Sequence, residues 1–268
     1  MTISVFITGA SSGIGQALAH VYAMQAGNED HTSGSRIQIG LAGRRLDKLQ
    51  VLANELQQNP QVRCGIYPLD VRDAAALKHA ADDFMHQFGT PDIVIANAGV
   101  SRGTLTEYEE DITAFQAVMD INVMGMVHTF QPFITAMKQA KRGQLVGIAS
   151  VAGIRGLPGS GAYSASKSAA ITYLESLRSE MQHFDIAVTT IAPGYIRTPM
   201  TDINRYAMPF LMNAETFASK AMRAVQAQRR FVIIPWQMGI VARLMRLIPP
   251  WLWDKLTKNA PHKSRKTG

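Results

Sequence analysis

The chain has 268 residues, 47% of them hydrophobic and 18% charged, so it can bury a large core and has too little charge for a disordered chain. Its one cysteine, Cys64, excludes a disulfide framework and a cysteine-cluster zinc site, and we expect a reducing, cytoplasmic compartment and no metal. The net charge of +7 resides in residues 229–268, which hold nine lysines and arginines and one acid. This concentration argues against nucleic-acid binding by the whole protein.

Seven short apolar runs, rich in β-branched residues, predict β-strands in the body of the chain. They span residues 3–8, 36–42, 61–68, 92–96, 143–149, 187–192 and 231–234. Because the runs are continuously apolar and do not alternate, they are typical of parallel strands that are buried on both faces. The N-terminus has no basic segment before the first run, so no signal peptide is expected.

Helical patterns separate these runs and predict helices over residues 15–25, 46–57, 74–87, 114–137 and 162–183. The alternation of strands and helices at this spacing predicts right-handed βαβ units and a doubly wound α/β sheet. No proline- or serine-rich linker divides the body. We therefore expect one domain over residues 1–234, with a C-terminal extension, residues 235–268, packed on it.

A glycine-rich turn connects the first predicted strand to the first helix. It reads Thr8-Gly9-Ala10-Ser11-Ser12-Gly13-Ile14-Gly15, with the spacing G-x-x-x-G-x-G. Glycines permit a tight turn and let a pyrophosphate approach the backbone, and the N-terminus of the following helix favours phosphate. The alternative is an ordinary strand–helix turn, because a glycine triplet alone has little specificity.

Two arginines, Arg44 and Arg45, follow the second predicted strand, and no acid stands at the strand end. An acid there would bind the 2′-hydroxyl of NAD, whereas an arginine accepts the 2′-phosphate of NADP. The sequence therefore favours NADP, with Arg44 as the better candidate. The alternative is a pair of solvated arginines, although a helix N-terminus is an unfavourable place for cations.

Four polar residues form a third candidate site: Asn122, Ser150, Tyr163 and Lys167. Tyr163 and Lys167 are four residues apart in a predicted helix and share one face. A lysine one turn away stabilises a phenolate and lowers the tyrosine pKa, which is otherwise about 10. Ser150 follows an apolar strand, where such sheets bind ligands. On composition alone, a Tyr–Lys pair at this spacing is more often an exposed helix face.

Taken in order, these motifs resemble the short-chain dehydrogenase/reductase family. The matching pieces are Thr8–Gly15, Asn97-Ala98-Gly99, Asn122, Ser150, Tyr163-Ser164-Ala165-Ser166-Lys167 (Y-x-x-x-K) and Pro193-Gly194. Ser150 and Tyr163 are 13 residues apart, the family's usual interval, and the match is collinear over residues 1–234. The resemblance implies a single Rossmann-type, doubly wound α/β domain with a seven-stranded parallel sheet and helices on both faces.

The resemblance also implies catalytic roles. Tyr163 would be the general acid in reduction and the base in oxidation, while Lys167 lowers its pKa and holds the nicotinamide ribose. Ser150 would orient the substrate oxygen, and Asn122 would position a water in a proton relay to Lys167.

Cofactor contacts follow from the same resemblance. Asp70 would meet the adenine amino group, Asn97 would line the adenosine side, and Thr198 would meet the carboxamide. Ser12 is not basic, although some NADP-using members have Lys or Arg in this turn, so the NADP prediction depends on Arg44 and Arg45. With these two arginines, the predicted cofactor-binding residues are Gly9, Ser11, Ser12, Gly13, Ile14, Gly15, Arg44, Arg45, Asp70, Val71, Asn97, Ala98, Gly99, Tyr163, Lys167, Pro193, Gly194, Ile196 and Thr198.

Two C-terminal segments bear on the substrate and on partners. Residues 198–218, rich in methionine and aromatic side chains, fall where the family keeps a substrate lid and indicate a hydrophobic substrate; helix packing is the equal alternative. Residues 235–253 are apolar, with arginines, prolines and tryptophans interspersed. We favour a short helix that caps the cleft or forms an oligomer interface. The alternative is an interfacial anchor on anionic lipid, which would place the protein at the inner face of a membrane.

The sequence as a whole predicts an NADP(H)-dependent oxidoreductase that interconverts a carbonyl and an alcohol. The resemblance implies a small-molecule substrate and a homodimer or homotetramer built through the long helices, and no nucleic-acid partner is expected. Two alternatives come from other classes of protein. One is a nucleotide-binding sensor or scaffold of the same fold, and the other is a membrane-surface protein that acts through its C-terminal tail.

Overall fold

Nine strands are present in the computed structural model, which describes residues 2–27, 35–202, 204 and 206–258. The strands are β1 (Thr2–Thr8), β2 (Arg36–Gly43), β3 (Val62–Pro68), β4 (Ile93–Ala96), β5 (Gln144–Ile148), β6 (Ala187–Pro193), β7 (Ile196–Arg197), β8 (Met212–Asn213) and β9 (Phe231–Ile234). Seven of them form one parallel sheet in the order β3-β2-β1-β4-β5-β6-β9. The short β7 and β8 pair with each other. The predicted seven-stranded, doubly wound sheet is confirmed.

Helices connect the strands and cover both faces of the sheet. They are α1 (Gly13–Ala23), α2 (Leu46–Leu56), α3 (Ala74–Phe88), α4 (Asp111–Met119), α5 (Gly125–Ala140), α6 (Gly161–Met181), α7 (Ala214–Gln226), α8 (Trp236–Leu247) and α9 (Pro250–Thr257). One apolar core joins α1, α2 and α7 to the sheet, and a second joins α3, α5 and α6 to its opposite face. The strands are apolar throughout because each is covered on both sides; all five residues of β5 are buried.

The second core is built around aromatic rings. Phe6 of β1 contacts Phe84 of α3 and Phe133 of α5, with ring centroids 5.5 and 5.0 Å apart. All three side chains are fully buried. These rings anchor two helices to the middle of the sheet, which holds the strand ends that form the site in a fixed relation.

The strand order reverses between β1 and β4, because the chain continues from β1 toward β3 on one side and from β4 toward β9 on the other. At such a point the connections diverge to opposite faces of the sheet and leave a crevice at the carboxyl ends of the strands. The glycine turn follows β1, Asn97 follows β4, and Ser150 lies two residues after β5. The sheet thus brings the three motif groups to one edge.

The segment predicted as one helix over residues 114–137 differs from that prediction. The chain forms α4, then a π-helical turn at Asp120–Met124, then α5. A π-turn is a single turn with one extra residue, and helical spacing of the apolar residues continues on each side of it. The apolar pattern therefore predicted one continuous helix. The turn contains Asn122, whose side chain binds the backbone of a distant loop.

The C-terminal extension begins with α8, whose Met238 and Ala242 are buried. The Arg155 guanidinium, in the loop after β5, donates to the carbonyl oxygens of Met245 and Ile248 at 2.8 and 2.7 Å. These bonds satisfy carbonyl groups at the end of α8. Three of the nine basic residues of segment 229–268, Lys263, Arg265 and Lys266, lie outside the described residues.

Candidate active site

The glycine turn between β1 and α1 lies tightly against the end of β4. Gly9 has φ 70°, and a Cβ added there would lie 2.9 Å from Ala98 Cα. A Cβ at Gly15 would overlap the Gly9 carbonyl and lie 2.6 Å from Asn97 Nδ2. Because no side chain intervenes, the first turn of α1 reaches the crevice with its free N–H groups and the positive end of its dipole.

Arg45 is bonded directly to this turn. Its Nη2 donates to the Ser11 carbonyl oxygen at 3.2 Å, to Ser11 Oγ at 3.0 Å and to Ser12 Oγ at 2.8 Å. Arg44 precedes it, is exposed and lines the same cleft. Two guanidinium groups therefore stand beside the helix N-terminus, at the end of β2, where phosphate would meet a strongly positive potential.

Asp70, after β3, is paired within its own loop. Its carboxylate accepts from Arg72 Nε at 3.1 Å and Nη2 at 2.7 Å. These bonds lower the pKa of Asp70, and the positive charge of Arg44 contributes in the same direction. Val71 follows and packs against Gly125, where an added Cβ would lie 2.6 Å from Val71 Cγ2. Asp70 thus lines the cleft as an ionised carboxylate whose negative charge is paired with Arg72.

Asn97 joins the ends of β1 and β4. Its Nδ2 donates to the Thr8 carbonyl oxygen at 3.0 Å and to the Gly9 carbonyl oxygen at 3.4 Å. Its own backbone N–H donates to Thr8 Oγ1 at 3.2 Å. The side chain therefore holds the glycine turn at a fixed distance from the next strand, where it also borders the cleft.

Asn122 lies behind the cleft, 1% exposed, in the π-turn. Its Oδ1 accepts the Val100 N–H at 2.8 Å, and its Nδ2 donates to the Val100 carbonyl at 2.9 Å and to Ser166 Oγ at 2.9 Å. One amide side chain thus connects the loop after β4 to α6. This arrangement positions the backbone near Gly99, where an added Cβ would lie 3.1 Å from Asn122 Oδ1 and 3.5 Å from Lys167 Nζ.

Tyr163 and Ser150 meet where β5 and α6 approach each other. Desolvation raises the pKa of Tyr163, and a hydrogen bond with the Ser150 hydroxyl acts in the opposite direction. Ser150 Oγ also accepts the Ala152 N–H at 3.1 Å, which fixes its rotamer. The expected lowering of the Tyr163 pKa by Lys167 is therefore wrong for this structure, because burial dominates and raises the pKa. The phenol is protonated at neutral pH, and it can donate a proton.

Lys167 is buried one helical turn from Tyr163. Its Nζ donates to the Ile148 carbonyl at 2.9 Å and lies 5.9 Å from the centre of the Tyr163 ring. Burial lowers the pKa of Lys167 to about 8, because an apolar environment disfavours the ammonium form. The ammonium group has three donors, and the Ile148 bond uses one of them.

One wall of the cleft is formed by the segment that follows β6. Thr201 Oγ1 donates to the Ile196 carbonyl at 2.7 Å and accepts the Thr198 N–H at 3.0 Å. Pro193 ends β6, and at Gly194 an added Cβ would lie 2.7 Å from Met238 Cγ of α8. The hydroxyl of Thr201, which the sequence reasoning did not single out, therefore shapes the turn that carries Thr198.

One cleft of about 370 Å³ collects nearly all of the predicted residues. Gly15 and Asn122 do not line it; they act through packing and through hydrogen bonds to neighbouring backbone. The other predicted residues line the cleft: Gly9, Ser11, Ser12, Gly13, Ile14, Arg44, Arg45, Asp70, Val71, Asn97, Ala98, Gly99, Ser150, Tyr163, Lys167, Pro193, Gly194, Ile196 and Thr198.

The residues in this cleft fit a nicotinamide dinucleotide. The bare glycine turn and the first N–H groups of α1 suit a pyrophosphate, and the Lys167 ammonium has donors for a ribose. A family model described as short chain dehydrogenase matches residues 4–208, well over half of the chain. The chain belongs to the short-chain dehydrogenase family. The resemblance drawn from its motifs is confirmed, and the family is one of oxidoreductases.

Individual relatives of this short-chain dehydrogenase support the assignment. An uncharacterized oxidoreductase from Myxococcus xanthus is 34% identical over 251 residues, which cover 94% of each chain. A solved 3-oxoacyl-[acyl-carrier protein] reductase from Brucella melitensis with bound NAD is 27% identical with a TM-score of 0.74, covering 87% of this chain and 89% of that one. A short-chain dehydrogenase from Sphingobium yanoikuyae in complex with NADPH shares the fold at 23% identity, with a TM-score of 0.74 and coverage of 92% and 97%.

Sequence reasoning missed three residues that shape the site of this short-chain dehydrogenase. Ser166 accepts from Asn122 and donates to the Tyr163 carbonyl at 2.8 Å; its position between Tyr163 and Lys167 was a usable signal. Thr201, a hydroxyl three residues after Thr198, was another. Val100 acts through its backbone alone, so its side chain carried no signal.

Proposed function

We propose that this short-chain dehydrogenase uses NADP(H) to interconvert a carbonyl and a secondary or primary alcohol on a hydrophobic substrate. The observation that carries the proposal is the grouping of Ser150, Tyr163 and Lys167 at the end of the cleft opposite the two arginines. A proton donor, an oxygen-binding hydroxyl and a buried cation in one place are what carbonyl reduction requires of a protein.

The arginines favour NADP over NAD. Arg44 and Arg45 follow β2, and the strand ends in Gly43 without an acid to accept a ribose 2′-hydroxyl. Arg45 is engaged with Ser11 and Ser12, which leaves Arg44 as the freer guanidinium for a 2′-phosphate. Family membership does not choose between the cofactors, since the Brucella neighbour has bound NAD and the Sphingobium neighbour is in complex with NADPH.

A bound nicotinamide would supply the hydride for the carbonyl carbon. Tyr163 then donates its phenolic proton to the carbonyl oxygen, which Ser150 holds by its hydroxyl. Because its pKa is raised, Tyr163 carries this proton at neutral pH. In the oxidative direction the same tyrosine accepts the alcohol proton.

Lys167 supports this proton transfer electrostatically. Its ammonium, one turn from Tyr163, stabilises the phenolate that forms when the proton leaves. Its remaining donors suit the nicotinamide ribose. Asn122 binds Val100 and also Ser166, the residue before Lys167. Its role in positioning a water for a relay to Lys167 belongs to the same proposal.

A hydrophobic substrate is favoured by the segment after β6. Met200, Phe210 and Leu211 are exposed there, and Tyr195 contacts Tyr206 with ring centroids 6.3 Å apart. Met200 also lines the cleft. Adaptable apolar side chains next to an active site suit an apolar ligand.

The proposed partners are a small-molecule substrate and further copies of the chain. Ile112, Phe115 and Met124 are exposed apolar residues on α4 and the π-turn, which favours the predicted homodimer or homotetramer through the long helices. The single Cys64 suits the proposed cytoplasmic location. Light scattering of the purified chain measures the oligomer directly.

The test is oxidation of NADPH, with NADH in parallel, against a panel of hydrophobic ketones and aldehydes. We expect Tyr163→Phe to keep NADPH binding, measured by fluorescence titration, and to lose turnover roughly 100-fold or more. Tyr173→Phe, the same change on the same helix, serves as the matched control and should retain turnover. Near-normal turnover by Tyr163→Phe would remove that residue from the chemistry.

Tight NADPH binding without turnover on any substrate of the panel would favour the sensor or scaffold alternative. The complete set of Asn122, Ser150, Tyr163 and Lys167 argues for the enzyme, because a protein that only binds nucleotide needs no buried proton donor beside a cation.

A further inference from the structure

Helix α8 has two apolar faces, and the residues that the structure describes cover one of them. Met238 and Ala242 are buried on the inner face. On the outer face stand Trp236, Ile240, Leu244 and Leu247, at positions i, i+4, i+8 and i+11, which share one side of a helix. Trp236 is 65% exposed and Leu247 is 78% exposed. This outer face contributes nothing to the protein core.

Helix α9 continues the same exposed surface. Trp251 is 70% exposed and Leu256 is 62% exposed. The corner between the two helices is held by Arg155, which binds two carbonyl oxygens at the end of α8 and lies 4.9 Å from the Trp253 ring. We call the exposed residues of α8 and α9 the C-terminal surface: Trp236, Ile240, Arg243, Leu244, Arg246, Leu247, Trp251, Lys255, Leu256 and Lys258.

The C-terminal surface is also basic. Arg243, Arg246, Lys255 and Lys258 are exposed beside the apolar residues, and Asp254 is the one acid of residues 236–258. The body of the chain, residues 1–228, is nearly neutral, with 18 lysines and arginines against 19 acids. The positive charge of this protein is therefore concentrated in the segment that carries this exposed apolar face.

We propose that the C-terminal surface is a docking surface for anionic lipid bilayers, on which the protein lies peripherally. Apolar side chains and tryptophans would enter the interface while the arginines and lysines meet lipid phosphates. Among the described residues no helix is long and apolar enough to span a bilayer, so the contact is interfacial. A second copy fits less well, because a two-fold contact would bring the same basic residues against one another.

Helix α8 contacts a wall of the active-site cleft through its inner face, opposite the C-terminal surface. Met238, on the inner face of α8, contacts Gly194 at the wall of the cleft. Arg155, which holds the α8–α9 corner, follows Ser150 by five residues. Docking would therefore bring the Gly194 wall of the cleft toward the bilayer, with α8 between them. This consequence rests on the proposed function, whereas lipid binding itself does not.

The test is sedimentation of the full chain with vesicles of phosphatidylcholine alone and of phosphatidylcholine with phosphatidylglycerol. We expect binding to the anionic vesicles, weak binding to the neutral ones, and release as salt rises from about 0.1 M to about 1 M. All three tryptophans, Trp236, Trp251 and Trp253, belong to α8 and α9. A blue shift of intrinsic fluorescence on binding therefore reports on this segment alone.

Two sets of variants separate the charge from the apolar contribution. Neutralising Arg243 and Arg246 together, R243Q/R246Q, should weaken partitioning about 25-fold, at about fivefold for each basic residue. The matched control is K220Q/R223Q, which removes two exposed cations of α7 at the same i, i+3 spacing. For the apolar part, I240Q/L247Q should weaken partitioning about tenfold or more, and its control is L46Q/V51Q, at two exposed apolar sites on α2.

All eight substituted positions are exposed, and thermal unfolding confirms that each variant is folded. Sedimentation that does not depend on anionic lipid would overturn the proposal, as would equal losses in the variants and their controls. If I240Q/L247Q instead turned a dimer into a monomer in sedimentation velocity, with no vesicle binding by the unmodified chain, the surface would be an interface between copies and the proposal would be wrong. Loss of turnover by Y163F has no bearing on vesicle binding, so this proposal and the proposed function fail separately.

Discussion

Asn122 holds Val100 by both atoms of its side-chain amide, accepting the Val100 N–H at 2.8 Å and donating to the Val100 carbonyl at 2.9 Å. The two residues are 22 positions apart. The pair fixes the loop that borders the cleft, and Asn122 reaches that loop from the π-turn at Asp120–Met124. A half-buried backbone N–H and carbonyl are both bonded to this one buried side chain.

Asn122→Ala is expected to destabilise the protein by about 1–3 kcal/mol, because it removes the three hydrogen bonds that a buried amide makes to Val100 and Ser166. Urea unfolding measures the change. The control is Asn54→Ala, at an exposed position of α2, where alanine improves helix propensity and stability should be unchanged or slightly higher. Equal stabilities for the two variants would show that the Val100 bonds contribute little.

Gly15→Ala tests the close packing of the glycine turn. The added methyl group would overlap the Gly9 carbonyl and crowd Asn97, so we expect a loss of about 1–3 kcal/mol together with weaker cofactor binding. Gly161→Ala is the matched change near the start of α6, where nothing lies within 4 Å of the new Cβ. There the free energy of unfolding should rise by about 0.5–1 kcal/mol. Thermal unfolding of both variants distinguishes the two environments.

Arg44→Ala should lower kcat/KM for NADPH about tenfold or more and leave the value for NADH nearly unchanged. The reason is that a hydrogen bond to a charged phosphate contributes about 1.5–3 kcal/mol, and only NADPH has the 2′-phosphate. Lys48→Ala, an exposed cation of α2, controls for general loss of positive charge. If Arg44→Ala affected both cofactors equally, the arginine would not be a 2′-phosphate ligand.

Lys167→Met should alter the pH dependence of stability. Burial lowers the pKa of Lys167 from 10.5 to about 8, so the unfolded chain binds more protons between these values and the wild-type protein gains stability as pH rises through them. Methionine removes this titration. The stability of the variant relative to wild type should therefore fall by about 2 kcal/mol between about pH 7.5 and about pH 9.5.

Urea unfolding at the two pH values measures this difference. Lys48→Met, at an exposed site, should show the same difference from wild type at both. A constant difference for Lys167→Met would mean that the lysine keeps an ordinary pKa in the folded protein.

The strands, and most of the residues that line the cleft, could be predicted from the sequence. The run predicted at 187–192 corresponds to β6, Ala187–Pro193, and the run at 36–42 corresponds to β2, Arg36–Gly43. These segments are apolar because both of their faces are covered, so nearly every residue of the run is apolar in the sequence. Helix geometry alone likewise predicted that Tyr163 and Lys167, four residues apart, share one face of a helix.

The contacts across the site could not be predicted in this way. Arg45 binds Ser11 and Ser12 from more than thirty positions away, and Lys167 binds the Ile148 carbonyl. The π-turn at Asp120–Met124 was missed because one inserted residue barely changes the apolar pattern on either side of it. Sequence reasoning favoured a C-terminal helix that caps the cleft or forms an oligomer interface, which stays a prediction; it did not indicate which face of α8 is exposed.

The sequence by itself determined the strand–helix order, the buried faces and the family, because backbone preference and periodic burial are properties of neighbouring residues. Only the tertiary structure decided that Asn122 would hold Val100, that Lys167 would be buried with a lowered pKa, and that the apolar side of α8 would face outward. Each of these depends on which distant segments pack together and on how much water they exclude. That information belongs to the whole fold and to no single stretch of the chain.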